Sequence, residues 1–232
     1  MVRIKAIIFD LDDTMHNEDF NSENSLTQSV DVMIKKGLKT SLKKGVEMIK
    51  EIIRKDPTKN KFRELVKSLG QEDEEIIKAG LEKYSNADFE KLDIFPDTIE
   101  VLGSLKKKYK LVLISQGSYP QQMKKINFLK IRDYFDLIFI SKLGEKGEYF
   151  KKAIKELNLK PEEILDVGNR IDSELKIGNE LGMITVRILK GKYRFIKPRE
   201  KNEKPDFEIN NLKEIYGILN EIQNLNEIQK TA

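Results

Sequence analysis

Short apolar runs alternate with helical patterns along most of the chain, and this alternation constrains the fold more than any other feature. Strands buried on both faces read as near-continuous apolar segments. Strands that alternate with helices are typical of a parallel sheet covered by helices. The runs that fit are residues 4–10, 110–115, 137–141, 164–168, 184–189 and 207–209. The sequence therefore predicts an α/β fold with a parallel sheet flanked by helices.

The interval between the first two runs has no strand pattern. Apolar residues recur there at steps of three and four, as at Val46, Ile49 and Ile53, which indicates amphipathic helices. A structureless loop of this length is not expected in a compact domain. We therefore expect residues 15–91 to form an inserted all-helical domain, and residues 1–14 and 92–232 to form the α/β core domain.

The composition argues against several classes of protein. The chain has 43 basic and 39 acidic residues, a net charge of +4, and this mixture gives no general case for binding nucleic acid. No segment approaches the ~18 apolar residues of a membrane span. Since there is no cysteine, a disulfide framework, a thiolate metal site and a cysteine nucleophile are excluded. We expect a cytoplasmic monomer or homodimer.

One basic segment, "KGKYRFIKPREKNEK" at 190–204, carries aromatic residues among its charges. Basic stretches with aromatic residues are typical of sites for single-stranded nucleic acid. Solvent-exposed connections between strands have the same composition more often. We favour the second interpretation, with residues 190–204 connecting the fifth and sixth predicted strands.

Carboxylates cluster directly after the first predicted strand, in "KAIIFDLDDTMH" at 5–16. Asp10, Asp12 and Asp13 lie there, and in an open parallel sheet ligands bind beyond the carboxyl ends of the strands. Two unit charges 4 Å apart repel by ~4 kcal/mol at an effective dielectric near 20, so the cluster indicates a bound cation or a shared proton. Mg²⁺ is the natural cation for oxygen ligands. Alternatively, these carboxylates only cap or solvate a turn.

A second polar group follows the next strand of the core, in "LVLISQGS" at 111–118. Ser115, Gln116 and Gly117 precede a predicted helix, so a hydroxyl and free backbone N–H groups are available for an anion. Beside the carboxylate cluster, this group favours a phosphate held next to Mg²⁺.

Three segments resemble motifs of the haloacid dehalogenase-like (HAD) hydrolase superfamily. "DLDDT" at 10–14 resembles the first motif, "LISQG" at 113–117 the second, and "EILDVGNRIDSELKIGNELGM" at 163–183 the fourth. They occur in the family's order, and the helical insert is similar to the cap domain that one branch carries between its first two motifs. The resemblance implies a Rossmann-like sheet with a helical cap, and a Mg²⁺-dependent phosphatase that acts on a small phosphorylated metabolite.

The resemblance also implies roles for individual residues. Asp10 would attack phosphorus and become an aspartyl phosphate. Asp12 would protonate the leaving alkoxide and then activate water, and its backbone carbonyl would contact Mg²⁺. Thr14 would brace the turn, and Ser115 and Gln116 would bind the phosphate. All five residues lie within the first two motifs.

The positive partner of the phosphoryl group is implied to be Lys146. The family usually has proline next, where this chain has Gly147, and Lys142 is close enough in sequence to compete. We interpret Asp13 as a solvated turn residue. His16 is interpreted as a hinge or surface residue on the cap side rather than a catalyst.

The fourth motif departs from the family pattern. The family most often has Gly-Asp where this chain has Gly168 and Asn169. Matching the motif to its end places Glu174 at the family's second acid, with Asp172 two residues ahead. Asp172 equally suits the cap of a helix. We expect Asp10, the Asp12 carbonyl and Asn169 to coordinate Mg²⁺, with Glu174 or Asp172 supplying the remaining negative charge.

Other functions remain open beside the phosphatase. Within the family, phosphonate hydrolysis and phosphomutase activity are alternatives, whereas a dehalogenase is disfavoured because that branch lacks the acid of Asp12. Among functions other than catalysis, Asn169 would suit a catalytically weak binding or regulatory protein whose metal site has decayed. A phospho-accepting receiver domain is disfavoured, since its acceptor follows a later strand than Asp10.

Overall fold

The structure of the protein is a computed structural model that describes residues 3–56, 59–87 and 92–231. Side chains of residues 19–21 and 225–231 lie outside this description. The chain divides into two compact units. One unit comprises Met1–Glu18 and Leu92–Ala232, and the other comprises Asp19–Lys91. We call the first the sheet unit and the second the helical unit.

The strands belong to the sheet unit. They are β1 (Ala6–Phe9), β2 (His16–Asn17), β3 (Asp93–Ile94), β4 (Lys110–Gln116), β5 (Leu137–Ser141), β6 (Ile164–Gly168), β7 (Ile184–Ile188) and β8 (Phe207–Ile209). Six of them form a parallel sheet in the order β5-β4-β1-β6-β7-β8. The predicted α/β fold is therefore confirmed.

The α-helices of the described residues fall into both units. They are α1 (Glu18–Lys35), α2 (Leu42–Lys55), α3 (Lys61–Ser68), α4 (Glu74–Ser85), α5 (Thr98–Leu105), α6 (Tyr119–Phe128), α7 (Lys146–Leu157), α8 (Glu174–Leu181) and α9 (Ile215–Thr231). None of these described helices has the length and apolar character that crossing a membrane requires.

Burial on both faces explains the apolar sequence of the central strand. Each residue of β1 is fully buried. Ala6 and Ile8 belong to a core cluster that also contains Phe150 and Ala153 of α7. A strand covered on both faces needs apolar side chains at every position, so the first predicted run ends where the carboxylates begin.

The order of the strands brings the predicted polar residues to one edge of the sheet. β1 lies between β4 and β6. The chain crosses from β1 to one neighbour and later returns to the other, and a crevice for ligands opens at such a switch point. Asp10, Gln116 and Asn169 lie at the carboxyl ends of these three strands.

The helical unit contains the rest of α1 and helices α2 to α4. Asn60 caps α3 and Asp73 caps α4, each by accepting hydrogen bonds from backbone N–H groups of the first turn. Ile49 and Phe62 are among the residues of its buried core. Sequence periodicity did not predict β2 and β3, which pair antiparallel in the sheet unit, because two residues are too short to show a period.

Candidate active site

A cavity of about 170 Å³ lies at the carboxyl edge of the sheet, within the sheet unit. Its lining includes predicted site residues from every motif, namely Asp10, Asp12, Gln116, Lys146, Asn169 and Glu174. Three other predicted residues, Thr14, Ser115 and Asp172, do not line it. The sequence motifs therefore meet at one place, although not with every predicted member.

Lys146 joins two buried carboxylates in this cavity. Its Nζ donates to Oδ1 of Asp10 at 2.6 Å and to Oε2 of Glu174 at 3.0 Å. The three side chains are each at most 9% exposed. Burial raises the pKa of Asp10 to about 7, and the charges of Glu174 and Asp12 add to this while Lys146 opposes it. Although burial works against it, the two carboxylates hold the pKa of Lys146 above its usual range.

Local backbone structure sets the positions of these groups. Lys146 and Glu174 are the first residues of α7 and α8. Gly168, at the end of β6, leaves room for Glu174, because a Cβ there would lie 2.4 Å from its Cγ. The backbone N–H of Arg170 donates to Oε1 of Glu174 at 2.7 Å. The competing lysine, Lys142, does not line the cavity.

A second buried ammonium holds Asp12. Lys125 on α6, whose side chain is 2% exposed, donates to Asp12 at 2.8 Å and to Glu18 at 2.6 Å. Nε2 of His16 and Nε2 of Gln122 each lie 2.9 Å from a carboxylate oxygen of Asp12. Burial by itself favours the neutral acid, but the charges of Lys125 and His16 hold the pKa of Asp12 well below its usual range. In this arrangement Asp12 is ionised.

The polar groups of the first two motifs are largely buried. Ser115 is 1% exposed, and its hydroxyl has no hydrogen-bond partner among the described residues. Gln116 donates from Nε2 to the carbonyl of Lys142 at 3.3 Å. Thr14 is fully buried, its N–H donates to the carbonyl of Leu11 at 3.3 Å, and its hydroxyl likewise has no described partner.

Glu174 and Asp172, the two acids of the fourth motif, differ in their surroundings. Glu174 lines the cavity, as does Asn169, which is 2% exposed. Asp172 lies outside the lining and pairs with Nε and one terminal nitrogen of Arg170, both at 3.1 Å. It does not cap α8 either, because Ser173 precedes that helix. Of the two acids, Glu174 alone lines the cavity beside Asp10.

The oxygen donors of the cavity are compatible with Mg²⁺. Asp10 and Glu174 bring two buried carboxylates to one ammonium, Asn169 offers an amide oxygen, and hard cations prefer such ligands. A second group, Asp12, His16 and Glu18, also has ligand atoms within 4.8 Å of one another. Each group also contacts a buried ammonium, Lys146 in the first and Lys125 in the second. The first group offers oxygen ligands alone, whereas the second includes the imidazole nitrogen of His16, and Mg²⁺ prefers oxygen. The first group is therefore the better candidate for Mg²⁺.

Two interpretations from the sequence are wrong. Asp13 is not a solvated turn residue, because it is 5% exposed, has φ of 58° and accepts the N–H of Glu18 at 3.0 Å. The surface position expected for His16 is wrong, because the residue is fully buried against Asp12; the alternative role as a hinge stays a prediction. The αL conformation of Asp13 has a local signal, since Asp tolerates it in turns. Nothing local signals the burial of His16.

The sequence also missed other residues of the site. Gln122 and Lys125 lie three residues apart on one face of α6, and this spacing is the one signal that could have paired them. Lys192 and Tyr193 line the cavity although they belong to the basic segment 190–204. Asp166 on β6 is fully buried, and neither of its carboxylate oxygens has a described partner. Burial raises its pKa well above the ordinary value.

Comparisons with known proteins identify relatives across the whole chain. A protein of Methanocaldococcus jannaschii named glyceraldehyde 3-phosphate phosphatase is 39% identical over 229 residues, which covers 95% of this chain and 99% of that protein. A protein with the same name from Methanopyrus kandleri is 32% identical over 231 residues, which covers 94% of this chain and 98% of that protein. The prediction of a phosphatase is confirmed by these relatives, which are phosphatases by name.

Solved structures show the same fold. The HAD phosphatase from Thermococcus onnurineus superposes with a TM-score of 0.66 at 24% identity, covering 93% of this chain and 98% of that one. Residues 4–182 match the model of the haloacid dehalogenase-like hydrolase family. The chain therefore belongs to the haloacid dehalogenase-like hydrolase family.

Proposed function

We propose that the protein is a Mg²⁺-dependent phosphatase that hydrolyses a small phosphomonoester of the glyceraldehyde 3-phosphate type through an aspartyl phosphate on Asp10. The observation that carries the proposal is the buried pair of Asp10 and Lys146 at 2.6 Å in the cavity at the carboxyl edge. The cavity, about 170 Å³, is smaller than the ~300–1,000 Å³ of pockets for drug-sized ligands. The names of the relatives support the substrate class.

Asp10 is the nucleophile in this proposal. An oxygen of its carboxylate forms a bond to phosphorus, and the bond from phosphorus to the leaving alkoxide breaks. Lys146 balances negative charge that gathers on the phosphoryl oxygens. Because the pKa of Asp10 is raised to about 7 without a metal, a nearby cation would favour the ionised form that attacks.

Asp10, the backbone carbonyl of Asp12, Asn169 and Glu174 would hold the Mg²⁺ ion. When bound, the ion supplies positive charge that offsets the phosphoryl oxygens and the neighbouring carboxylates. Asn169 contributes an oxygen without a formal charge. Glu174 therefore supplies the negative charge that the fourth motif lacks at position 169.

Asp12 moves the proton in both steps. It donates a proton to the leaving oxygen first, and it then takes one from the water that attacks the aspartyl phosphate. The contacts from Lys125, His16 and Gln122 favour the ionised form, which suits the second step. In the first step Asp12 has to carry a proton against the attraction of Lys125.

The remaining roles follow the resemblance. We assign phosphate binding to Ser115, whose buried hydroxyl has no described partner, and to Gln116, which lines the cavity. Thr14 braces the turn that follows β1. The helical unit takes the role of a cap domain that selects the substrate. The cytoplasm as the site of action, and a monomeric or homodimeric state, stay predictions.

Phosphate release tests the proposal directly. The wild type is incubated with glyceraldehyde 3-phosphate, a panel of other small phosphate esters and a phosphonate, with Mg²⁺ or with a chelator. We expect metal-dependent release that Asp10→Asn abolishes, and a phosphorylated intermediate in the wild type after rapid acid quenching. Equal release by Asp10→Asn, or release that is independent of the metal, would refute it.

Leaving-group dependence tests the role of Asp12. Alkyl phosphates need a proton donor, whereas 4-nitrophenyl phosphate leaves as a stable anion. Since general acid catalysis contributes ~10²–10⁴-fold, Asp12→Asn should reduce kcat for the alkyl ester at least tenfold more than for the aryl ester. Asp133→Asn, which neutralises an exposed carboxylate outside the cavity, is the control. A loss that is equal for both esters would mean that Asp12 does not protonate the leaving group.

The neutral Asn169 favours a second candidate function, that of a binding protein that no longer hydrolyses phosphate esters. In that case the wild type would bind inorganic phosphate in the presence of Mg²⁺ but release none from any ester in the panel. The same incubation, combined with calorimetry, separates the two candidates.

A further inference from the structure

The cavity has a wall that no motif supplies. Residues 190–196, which we call the 190–196 loop, follow β7 and include a short 3₁₀ helix over Lys192–Phe195. Lys192 and Tyr193 line the cavity together with Asp10 and Lys146. Lys192 is itself exposed, as are most residues of the basic segment 190–204, and Tyr193 is half-buried. The segment connects β7 and β8 as predicted, and part of it also reaches the cavity that contains the reacting groups.

Arg187, a buried arginine, holds the backbone of this loop by hydrogen bonds. Arg187 on β7 is 3% exposed. One of its terminal nitrogens donates to the carbonyls of Tyr193 at 2.8 Å and Ile196 at 2.7 Å, and the other donates to Glu208 at 3.0 Å. Hydrogen bonds from a buried guanidinium to both ends of a turn restrict its backbone. The cavity wall is thus held in one conformation.

The loop also packs directly against the first motif. Gly191 has φ of 60°, and a Cβ on it would lie 2.1 Å from Oδ2 of Asp13. Glycine is required here both for the positive φ and for the close approach. Asp13 itself follows Asp12 in the turn after β1. The position of the loop is therefore tied to the residues that carry the chemistry.

The two side chains of this wall differ in character. The ring of Tyr193 stacks with the guanidinium of Arg170, whose Cζ lies 4.6 Å from the ring centroid. Arg170 is in turn paired with Asp172. Lys192, in contrast, has no ion-pair partner among the described residues, and its Nζ lies 5.3 Å from the ring of Tyr193. The wall thus offers an uncommitted ammonium beside an aromatic surface.

We propose that the 190–196 loop recognises the carbon chain of the substrate, with Lys192 donating to a carbonyl or hydroxyl oxygen beyond the ester and Tyr193 packing against the carbons. The proposal rests on the phosphatase function proposed above. Lys146 and Ser115 serve the phosphoryl group, so an additional cation in so small a cavity suits the other end of the molecule. The ligand class is a three- or four-carbon phosphomonoester that carries oxygen on its chain.

Substrate selectivity tests this proposal. We compare kcat/KM for glyceraldehyde 3-phosphate with kcat/KM for phenyl phosphate, which has no oxygen beyond the ester, in the wild type, Lys192→Met and Lys197→Met. Lys197→Met is the matched control, since it removes the same charge from an exposed residue of the same segment that does not line the cavity. A hydrogen bond to a charged donor contributes enough to predict about a tenfold fall in the ratio for Lys192→Met.

The fall should arise mainly from KM for glyceraldehyde 3-phosphate, and Lys197→Met should keep the wild-type ratio. An equal loss on both substrates would assign Lys192 to the phosphoryl group and overturn the proposal. An unchanged ratio in Lys192→Met, or a wild type that does not favour glyceraldehyde 3-phosphate, would also overturn it. Absence of Mg²⁺-dependent phosphate release from both esters in the wild type would instead refute the phosphatase function itself.

As a measurement that is independent of turnover, calorimetry in the Asp10→Asn background compares the binding of glyceraldehyde 3-phosphate with that of inorganic phosphate. Adding Lys192→Met should weaken the first about tenfold and the second much less. Equal weakening of both ligands would again overturn the proposal. Circular dichroism spectra confirm that each variant is folded.

Discussion

The raised pKa of Asp10 makes the stability of the metal-free protein depend on pH. The ordinary value is 3.8, and burial raises the pKa to about 7 in the folded state. The folded protein therefore holds this proton more tightly than the unfolded chain does. The resulting stability is fully present below the unfolded pKa and is lost as the pH rises through about 7.

The magnitude follows from the two values. One pH unit corresponds to 1.36 kcal/mol, so the whole difference amounts to about 4 kcal/mol. Between pH 5 and pH 8 the contribution falls by about 3 kcal/mol. For a chain of this length that corresponds to roughly 6–12 °C in Tm. Asp10→Asn removes the titration while keeping the shape of the side chain.

Thermal denaturation followed by circular dichroism, with a chelator present, measures this effect. We compare the change in Tm between pH 5 and pH 8 in the wild type with the same change in Asp10→Asn. The difference cancels the contributions of the other carboxyl groups. We expect the wild type to lose roughly 6–12 °C more than the variant. If both proteins change equally, Asp10 does not carry a proton with a pKa near 7.

Three further substitutions test the surroundings of Asp10. Lys146→Met leaves two buried carboxylates without their ammonium, so it should cost about 3–5 kcal/mol of stability and at least ~10²-fold in kcat. The control Lys142→Met should change stability by less than ~0.5 kcal/mol. Denaturation and phosphate release compare the two variants. Asn169→Asp should lower Tm in chelator and tighten Mg²⁺ binding about tenfold in a calorimetric titration. Asp166→Asn should flatten the fall in Tm with rising pH, because the raised pKa of Asp166 stabilises the fold only while its proton is bound.

The fold and the motif residues could be predicted because their signals are local. The carboxyl ends of parallel strands meet at one edge of the sheet, so finding the strands was enough to bring Asp10, Gln116 and Asn169 together. Lys146 and Glu174 came from the resemblance. Their burial against each other was not needed to identify them.

The remaining site residues could not be predicted because partners distant in sequence determine their burial. Lys125 is one of 43 basic residues, and it is buried only because Asp12 and Glu18 both reach it. Lys192 lies in a segment whose composition is that of a solvated connection. It lines the cavity because Arg187 fixes the turn and Gly191 allows close approach to Asp13.

Charge balance around Asp10 leads to a last prediction. Asp10 and Glu174 carry two negative charges, Lys146 carries one positive charge, and Asn169 is neutral. A Mg²⁺ ion at this site therefore meets a net charge of only about −1 from these groups. A substrate phosphate brings further negative charge, so the ion and the phosphate should each strengthen binding of the other, and such coupling between two ligands is reciprocal.

In the Asp10→Asn variant, which cannot turn over, the carboxylate is lost and the imbalance is larger. We expect inorganic phosphate to tighten Mg²⁺ binding to this variant at least tenfold, within the range of typical coupling factors. Asp10→Asn combined with Asn169→Asp restores one carboxylate, so the coupling should become weaker. Calorimetric titration of Mg²⁺ with and without phosphate measures both. If the coupling is the same in the two proteins, the neutral amide of Asn169 does not make the metal ion depend on the phosphate for its charge.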